Sequence, residues 1–420
     1  MTFQPPKGMC DLPPKTAARY NYVLDKLREV FERYGFQPLD TPVLEDFALF
    51  AAKGGAGEAI RDEIYCFKDK SGRELALRFE FTASLARFIL NNLNLPKPFK
   101  RWQAGKVWRY ENPQAMRYRE FWQADIDTIG SASPLADAEC LACFCECMRA
   151  LGFKDFSIRV NDRKLLERMF EGLVPKGKMA DALRSIDKLD KLGKEGVANE
   201  LKSKGFDSAR ILRAIDIGGT NEEMLEKVSK YGTEELGQFI SFAKTLGIEK
   251  HLKVDFSLAR GLDYYTGLVF ELSCGANVSC GGGGRYDNMI KALGGPELPA
   301  TGISFGVSRL VSLMEEKGMF REMPVTQVFV AAVNDLARPD ALKILQGLRN
   351  DGIAAETDIA GRKLAKQMEW AGSAGFPFVA IVGPEELKKG SVKLRDMKTG
   401  KEKLVKTEKL GQEIAKAAKK

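Results

Sequence analysis

The sequence predicts an α+β chain in which sheet-forming segments, flanked by helices and split by a helical insertion, are followed by a smaller α/β unit. Three observations carry this reading. Two strand-like runs, Lys106–Glu111 and Phe121–Ile129, flank a polar loop as the arms of an antiparallel hairpin. Residues 164–252 are helical in pattern, lysine-rich and punctuated by glycine, and so look inserted between two sheet-forming parts. From residue 324 onward, strands at Val328–Val333, Ile353–Thr357, Phe378–Val382 and Val392–Arg395 alternate with helices near Pro339–Asn350 and Arg362–Ala374. The expected division is therefore 1–323, containing the insertion, and 324–420.

The first periodic segment is a helix over Ala17–Tyr34, with Tyr20, Val23, Leu24, Leu27, Val30 and Phe31 on one face and Gly35 as its stop. Phe36–Glu45 is extended but holds Pro38 and Pro42, which cannot donate to a ladder, so it belongs at a sheet edge or an interface. Leu75–Arg87 reads as a short strand entering a helix, with Thr82 and Ser84 as candidate N-caps and Glu80 near its first turn. On the hairpin, Arg109 and Glu111 share one face, as do Phe121, Gln123, Asp125 and Asp127. Such a charged face is either solvated or lines a site. Farther on, Ser279–Asp287 holds four consecutive glycines, which allow close backbone approach, and Gly302–Leu310 is a strand running into a helix.

Composition sets outer limits. With 44% hydrophobic and 29% charged residues the chain has ample core, and its net charge of +8 suits an anionic partner without identifying one. The segment after residue 325 carries 18 Lys plus Arg against 12 Asp plus Glu, so the excess is concentrated there. No apolar run approaches the roughly 20 residues that span a bilayer, and the expected location is cytoplasmic. His251 is the only histidine, which limits any mechanism based on a histidine base. Cys140, Cys143, Cys145 and Cys147 lie on a helical segment that spreads them around its circumference, a pattern of buried filler rather than a metal site.

The most distinctive stretch is Leu258–Glu271, where Arg260, Asp263, Tyr264 and Tyr265 lie just ahead of the strand-like Leu268–Leu272. A forked cation and two aromatic hydroxyls suit a small planar polar ligand. Arg-Gly-Leu-Asp-Tyr-Tyr-Thr-Gly at 260–267 and Gly-Gly-Gly-Gly-Arg-Tyr-Asp at 281–287 resemble the two histidine-specific motifs of the histidyl-tRNA synthetase family. Phe36–Glu45, Arg109–Asp127 and Gly302–Leu310 are similar to class II motifs 1, 2 and 3, and residues 77–82 and 119–125 resemble the archaeal and eukaryotic branch.

The resemblance implies a class II synthetase antiparallel sheet with flanking helices, then an anticodon-binding domain. It implies a homodimer, ATP with Mg2+, L-histidine and tRNA-His as substrates and partners, and no resident metal. By position, Arg109, Arg260 and Arg309 would be catalytic. Arg109, Glu111, Arg117, Phe121 and Arg309 would bind ATP. Glu80, Thr82, Gln123, Asp127, Tyr264 and Tyr265 would bind histidine. Gln114, Arg362, Lys363 and Lys366 would contact tRNA. Two other readings stand beside it: a non-catalytic regulatory paralogue that binds histidine, and a class IIa synthetase for another amino acid. The first usually lacks the anticodon domain and the catalytic arginines that are present here.

Overall fold

The computed structural model describes residues 3–52, 57–112, 118–259, 264–275, 279–320 and 326–418. The chain forms two compact units, Met1–Met319 and Phe320–Lys420.

In the first unit the strands run β1 (Gln37–Pro38), β2 (Leu44–Asp46), β3 (Cys66–Lys68), β4 (Glu74–Leu77), β5 (Phe99–Trp108), β6 (Glu120–Ile129), β7 (Ser157–Asp162), β8 (Leu252–Val254), β9 (Leu268–Ser273), β10 (Ser279–Arg285) and β11 (Ala300–Phe305). Eight of these form the main sheet, in the order β1-β5-β6-β11-β10-β9-β7-β8, and β2-β4-β3 form a small separate one. The neighbours from β5 to β7 are antiparallel, while the edge strands β1 and β8 pair in parallel. β1 holds Pro38 at an edge, where a missing N–H costs nothing.

Alternation along β6 decides what each face does. Ala124 and Ile126 are fully buried on the face where Phe31 of the helix Pro14–Arg33 and Phe144 of the helix Pro134–Ala150 meet Phe305 of β11 at 5.3 and 5.4 Å. Trp122 shares this face. Its backbone N–H donates to Ser308 Oγ at 2.9 Å and its ring tilts against Tyr20 at 6.4 Å, so it is packing. The opposite face carries the polar residues of the candidate site.

The glycine run is a strand rather than a loop. A Cβ at Gly281 would lie 2.5 Å from the Ser304 carbonyl, so β10 needs glycine to pass close to its neighbour. A disulfide joins Cys274 and Cys280 at the end of the β9–β10 pair. The four cysteines of the helix Pro134–Ala150 are free thiols with no exposed surface. Burial raises Cys140 and Cys143 well above the usual thiol range and pushes Cys145 up to about 12, so these groups fill core as neutral apolar side chains.

Between β7 and β8 lie six helices from Arg163 to Thr245. β7 is not apparent in the sequence because Arg159 interrupts its apolar run. That guanidinium is held by Asp255 at 2.8 Å and Glu271 at 3.0 Å. His251 is in a short 3-10 turn beside the edge strand β8, stacked on Phe156 with centroids 4.0 Å apart.

The second unit is a five-stranded sheet of β12 (Val328–Ala332), β13 (Ala355–Thr357), β14 (Phe378–Val382), β15 (Ser391–Asp396) and β16 (Glu402–Lys406), in the order β13-β12-β14-β15-β16. β12 is buried throughout because both faces are covered. Val328 and Val330 pack with Leu345, Leu348 and Ile414, and Phe329 packs with Ala371 and Phe376. The lysine-rich end is β16 followed by the helix Leu410–Ala418, with Val405, Leu410 and Ile414 buried.

Candidate active site

Cross-strand register assembles the polar face in rows. Arg101 of β5 lies opposite Asp127 of β6, which lies opposite Gly302 of β11 and then Gly284 of β10. In the next row Gln103 faces Asp125, which faces Ser304. Gly105 faces Gln123, and Val107 faces Phe121. From Phe121 to Asp127 the face runs about 20 Å at the usual strand rise, enough for an amino acid joined to a nucleotide.

At the Phe121 end sit the phosphate and adenine candidates. The Arg109 guanidinium lies 5.0 Å from the Phe121 ring centroid, and its Nε donates to the Phe79 carbonyl at 3.2 Å. Glu111 is half-buried two residues on, its carbonyl accepting from Arg119 Nε at 2.9 Å. Arg309 is on the helix Val307–Glu316, whose start is tied down by Gly306 N–H donating to the Cys280 carbonyl at 2.9 Å. Its Nη1 donates to the Ser279 carbonyl. Because Ser308 next to it holds Trp122, Arg309 enters at the same end of the sheet as Phe121.

Toward the middle lie the histidine candidates. Gln123 Nε2 donates to both Asp125 oxygens, at 3.0 and 3.1 Å, which leaves its carbonyl oxygen as an acceptor. Asp127 accepts from the Tyr286 hydroxyl, and its Oδ2 is 2.7 Å from Arg101 Nη2. Tyr264 meets Tyr286 edge to face at 6.2 Å and Tyr265 at 4.6 Å. Glu80 caps the helix Thr82–Leu90, accepting from Thr82 N–H at 2.5 Å and Ala83 N–H at 2.9 Å. This corrects the expected N-caps: neither Thr82 nor Ser84 caps with its side chain, because a carboxylate just ahead of the first turn meets two free N–H groups.

Burial first, and then the charge of Asp127, push the Asp125 carboxyl up to about 7, against the opposing pull of Arg101. Burial and Asp127 also raise the Tyr286 hydroxyl well above its usual value, so it stays a donor. A second buried pair backs the site. Arg285 reaches Asp137 and donates to the carbonyls of Ser131 at 2.9 Å and Ser133 at 3.0 Å.

Sequence reasoning missed Arg101, and it named Tyr286 only within a motif, with no role of its own. Counting by twos from Arg109 leads to Arg101 on the same face, a signal that strand period alone supplies. Arg260, Arg117 and Gln114 lie outside the described residues. In the second unit Lys363 is the N-cap of the helix Leu364–Ser373, Arg362 pairs with Asp358 at 3.0 Å over the Trp370 ring, and Lys366 pairs with Glu369 at 2.6 Å.

A family model described as histidyl-tRNA synthetase matches residues 8–310. The chain belongs to the histidyl-tRNA synthetase family. A second model, an anticodon binding domain, matches residues 327–417. Among members of the family, the histidine–tRNA ligase of Thermococcus kodakarensis is 38% identical over 426 residues, covering 97% of each chain. That of Pyrococcus furiosus is 37% identical over 95% of this chain and 96% of its own. The crystal structure of histidyl-tRNA synthetase from Nostoc sp. PCC 7120 superposes with a TM-score of 0.88 at 32% identity, covering 99% of this chain and 100% of that one. The fold is thus that of a class II synthetase catalytic domain with a carboxy-terminal anticodon-binding domain.

Proposed function

We propose that the chain is an ATP-dependent histidine–tRNA ligase, which joins histidine to the α-phosphate of ATP and then passes the histidyl group to the 3′ end of tRNA-His. The observation that carries this reading is Asp127, a buried carboxylate beside Tyr286, Tyr264 and Tyr265 on the same sheet face as Arg109 and Phe121.

In the first step a histidine carboxylate oxygen attacks the α-phosphorus, and the bond to the bridging oxygen breaks with pyrophosphate taking the electron pair. The nucleophile is already ionised, so the protein must mainly align it and neutralise growing charge. Arg109 and Arg260 would take the α-phosphate, Arg309 and Arg117 the outer phosphates, Glu111 the adenine amino group and Phe121 the ring. Magnesium would enter on the ATP phosphates, whose oxygens suit it; among the described residues no three His, Cys, Asp or Glu side chains gather as a metal site. The histidine ammonium would meet Glu80, Thr82 and the Gln123 carbonyl oxygen, and its imidazole Asp127 and Tyr265, with Tyr264 alongside.

The unit from about residue 324 would read tRNA, with Arg362, Lys363 and Lys366 as contacts, and Gln114 of the first unit would be a further contact. Surface pairs such as Lys366 with Glu369 are weak enough to exchange for phosphate. The exposed Val43 and Leu44 in the segment similar to motif 1 suit a homodimer interface. Its work on tRNA would be cytoplasmic; among the described residues no helix is long and apolar enough to cross a membrane.

Pyrophosphate exchange tests the first step and histidylation of tRNA the second. Exchange that depends on histidine and not on proline, threonine or glycine is expected, and Asp127→Ala should lower it at least about 100-fold. Histidine binding without exchange would favour the regulatory alternative.

A further inference from the structure

Arg101 has no exposed surface and is among the largest fully buried side chains of the protein. Among the described residues none of its three guanidinium nitrogens has a hydrogen-bond partner. It forms an ion pair with Asp127, with Nη2 2.7 Å from Oδ2. Burying a cation in this way is costly, and a single ion pair rarely repays it through stability alone. Asp127 accepts the Tyr286 hydroxyl on Oδ1 and has Arg101 Nη2 against Oδ2 as an ion pair, while Gly302 across the ladder leaves the space that its carboxylate occupies.

We propose that Arg101 is a positioning residue for amino-acid recognition: with Tyr286 it holds Asp127 as an oriented, acceptor-only carboxylate, so that the site selects a ring carrying an N–H at that position. The inference rests on the reading of Asp127 as the imidazole acceptor. Two buried carboxylates, Asp125 and Asp127, lie in neighbouring rows. Arg101 acts on both, but its close ion pair is with Asp127, while Asp125 binds the amide of Gln123 and the Ser304 hydroxyl and keeps a raised affinity for protons. The other charged and titratable groups acting here are Glu80 on Asp125, Tyr286 and Tyr264 on one side, and the Cys140 thiol behind Asp127. Removing Arg101 would take a cation from 2.7 Å of the Asp127 carboxylate and so favour its protonated form. A protonated Asp127 would offer a donor where the ring also offers one.

Arg101→Met, Arg101→Lys and Tyr286→Phe would be compared with wild type by KM and kcat in pyrophosphate exchange, for histidine and ATP separately, between pH 6 and 9. The expected result is a KM for histidine raised about 100-fold in Arg101→Met, with KM for ATP within about threefold. Lysine should recover part of the loss, and the histidine KM of Arg101→Met should improve as pH rises. Tyr286→Phe, which keeps the ring packing, should raise the histidine KM about tenfold without touching ATP. If Arg101→Met raises both KM values together, or lowers only thermal stability, or if Tyr286→Phe leaves the histidine KM unchanged, the proposal is overturned. Failure of the wild type to catalyse histidine-dependent exchange would instead count against the functional reading itself.

Discussion

Replacing Gly302 by alanine adds one methyl group at the place where the carboxylate of Asp127 rests. A Cβ built there would lie 2.0 Å from Asp127 Oδ1, 2.6 Å from its Cγ and 2.8 Å from the Ile126 carbonyl oxygen. Non-bonded carbon settles at about 3.5 Å, so the carboxylate must retreat by about 1.5 Å. The Ile126 carbonyl belongs to the β6–β11 ladder and cannot yield as freely. Retreat takes Oδ1 away from the Tyr286 hydroxyl and turns Oδ2 on Arg101. A misplacement of about 1 Å in a binding group costs on the order of 100-fold, or about 2.7 kcal/mol. The measurement is kcat/KM for histidine in pyrophosphate exchange, with KM for ATP as the internal control and a thermal melt to record the overpacking cost of about 1–3 kcal/mol. A folded Gly302→Ala variant with wild-type kcat/KM for histidine would refute the placement of Asp127 against the substrate.

Three further outcomes are expected. Arg285→Met leaves Asp137 buried without its cation, and should cost about 3–5 kcal/mol and lower Tm by roughly 5–10 °C; the double variant with Asp137→Leu should recover most of it, which melts of both would check. The Asp125 carboxyl sits at about 7 in the fold against about 3.9 unfolded, so between those values the folded chain holds a proton that the unfolded chain releases. Stability therefore falls as pH rises from about 4 to 7, by at most about 4 kcal/mol, and Asp125→Asn removes that slope; parallel melts at pH 5 and 8 should show the variant gaining on wild type at the higher pH. Arg362→Ala should leave pyrophosphate exchange unchanged, weaken tRNA binding and reduce the slope of log affinity against log salt by about one, as read by filter binding at several salt concentrations.

Much of the site was legible because a strand has a period of two. Phe121, Gln123, Asp125 and Asp127 could be placed on one face from spacing alone, and register then set them opposite β5 and β11. The partners of that face were harder to see. Arg101 reads in sequence as an ordinary surface cation, and only the row that sets it opposite Asp127 explains its burial. Tyr286 was visible as part of a motif, but its hydroxyl finds Asp127 across a fold of more than 150 residues. Glu80 is hard to place for a local reason, since its reach to two N–H groups outweighs the propensity of Thr82 and Ser84 to cap. β16 is hidden because an edge strand with one buried side chain has almost no apolar signature.

The stacked position of His251 has a spectroscopic use. The protein contains a single imidazole of its own, held against Phe156 beside the edge strand β8, with burial lowering its affinity for protons. Ring-labelled histidine added as ligand would therefore be observed against one known resonance. The tautomer and the proton affinity of the bound ring could be read directly by NMR, in wild type and in Arg101 variants alike, with no assignment beyond telling two signals apart.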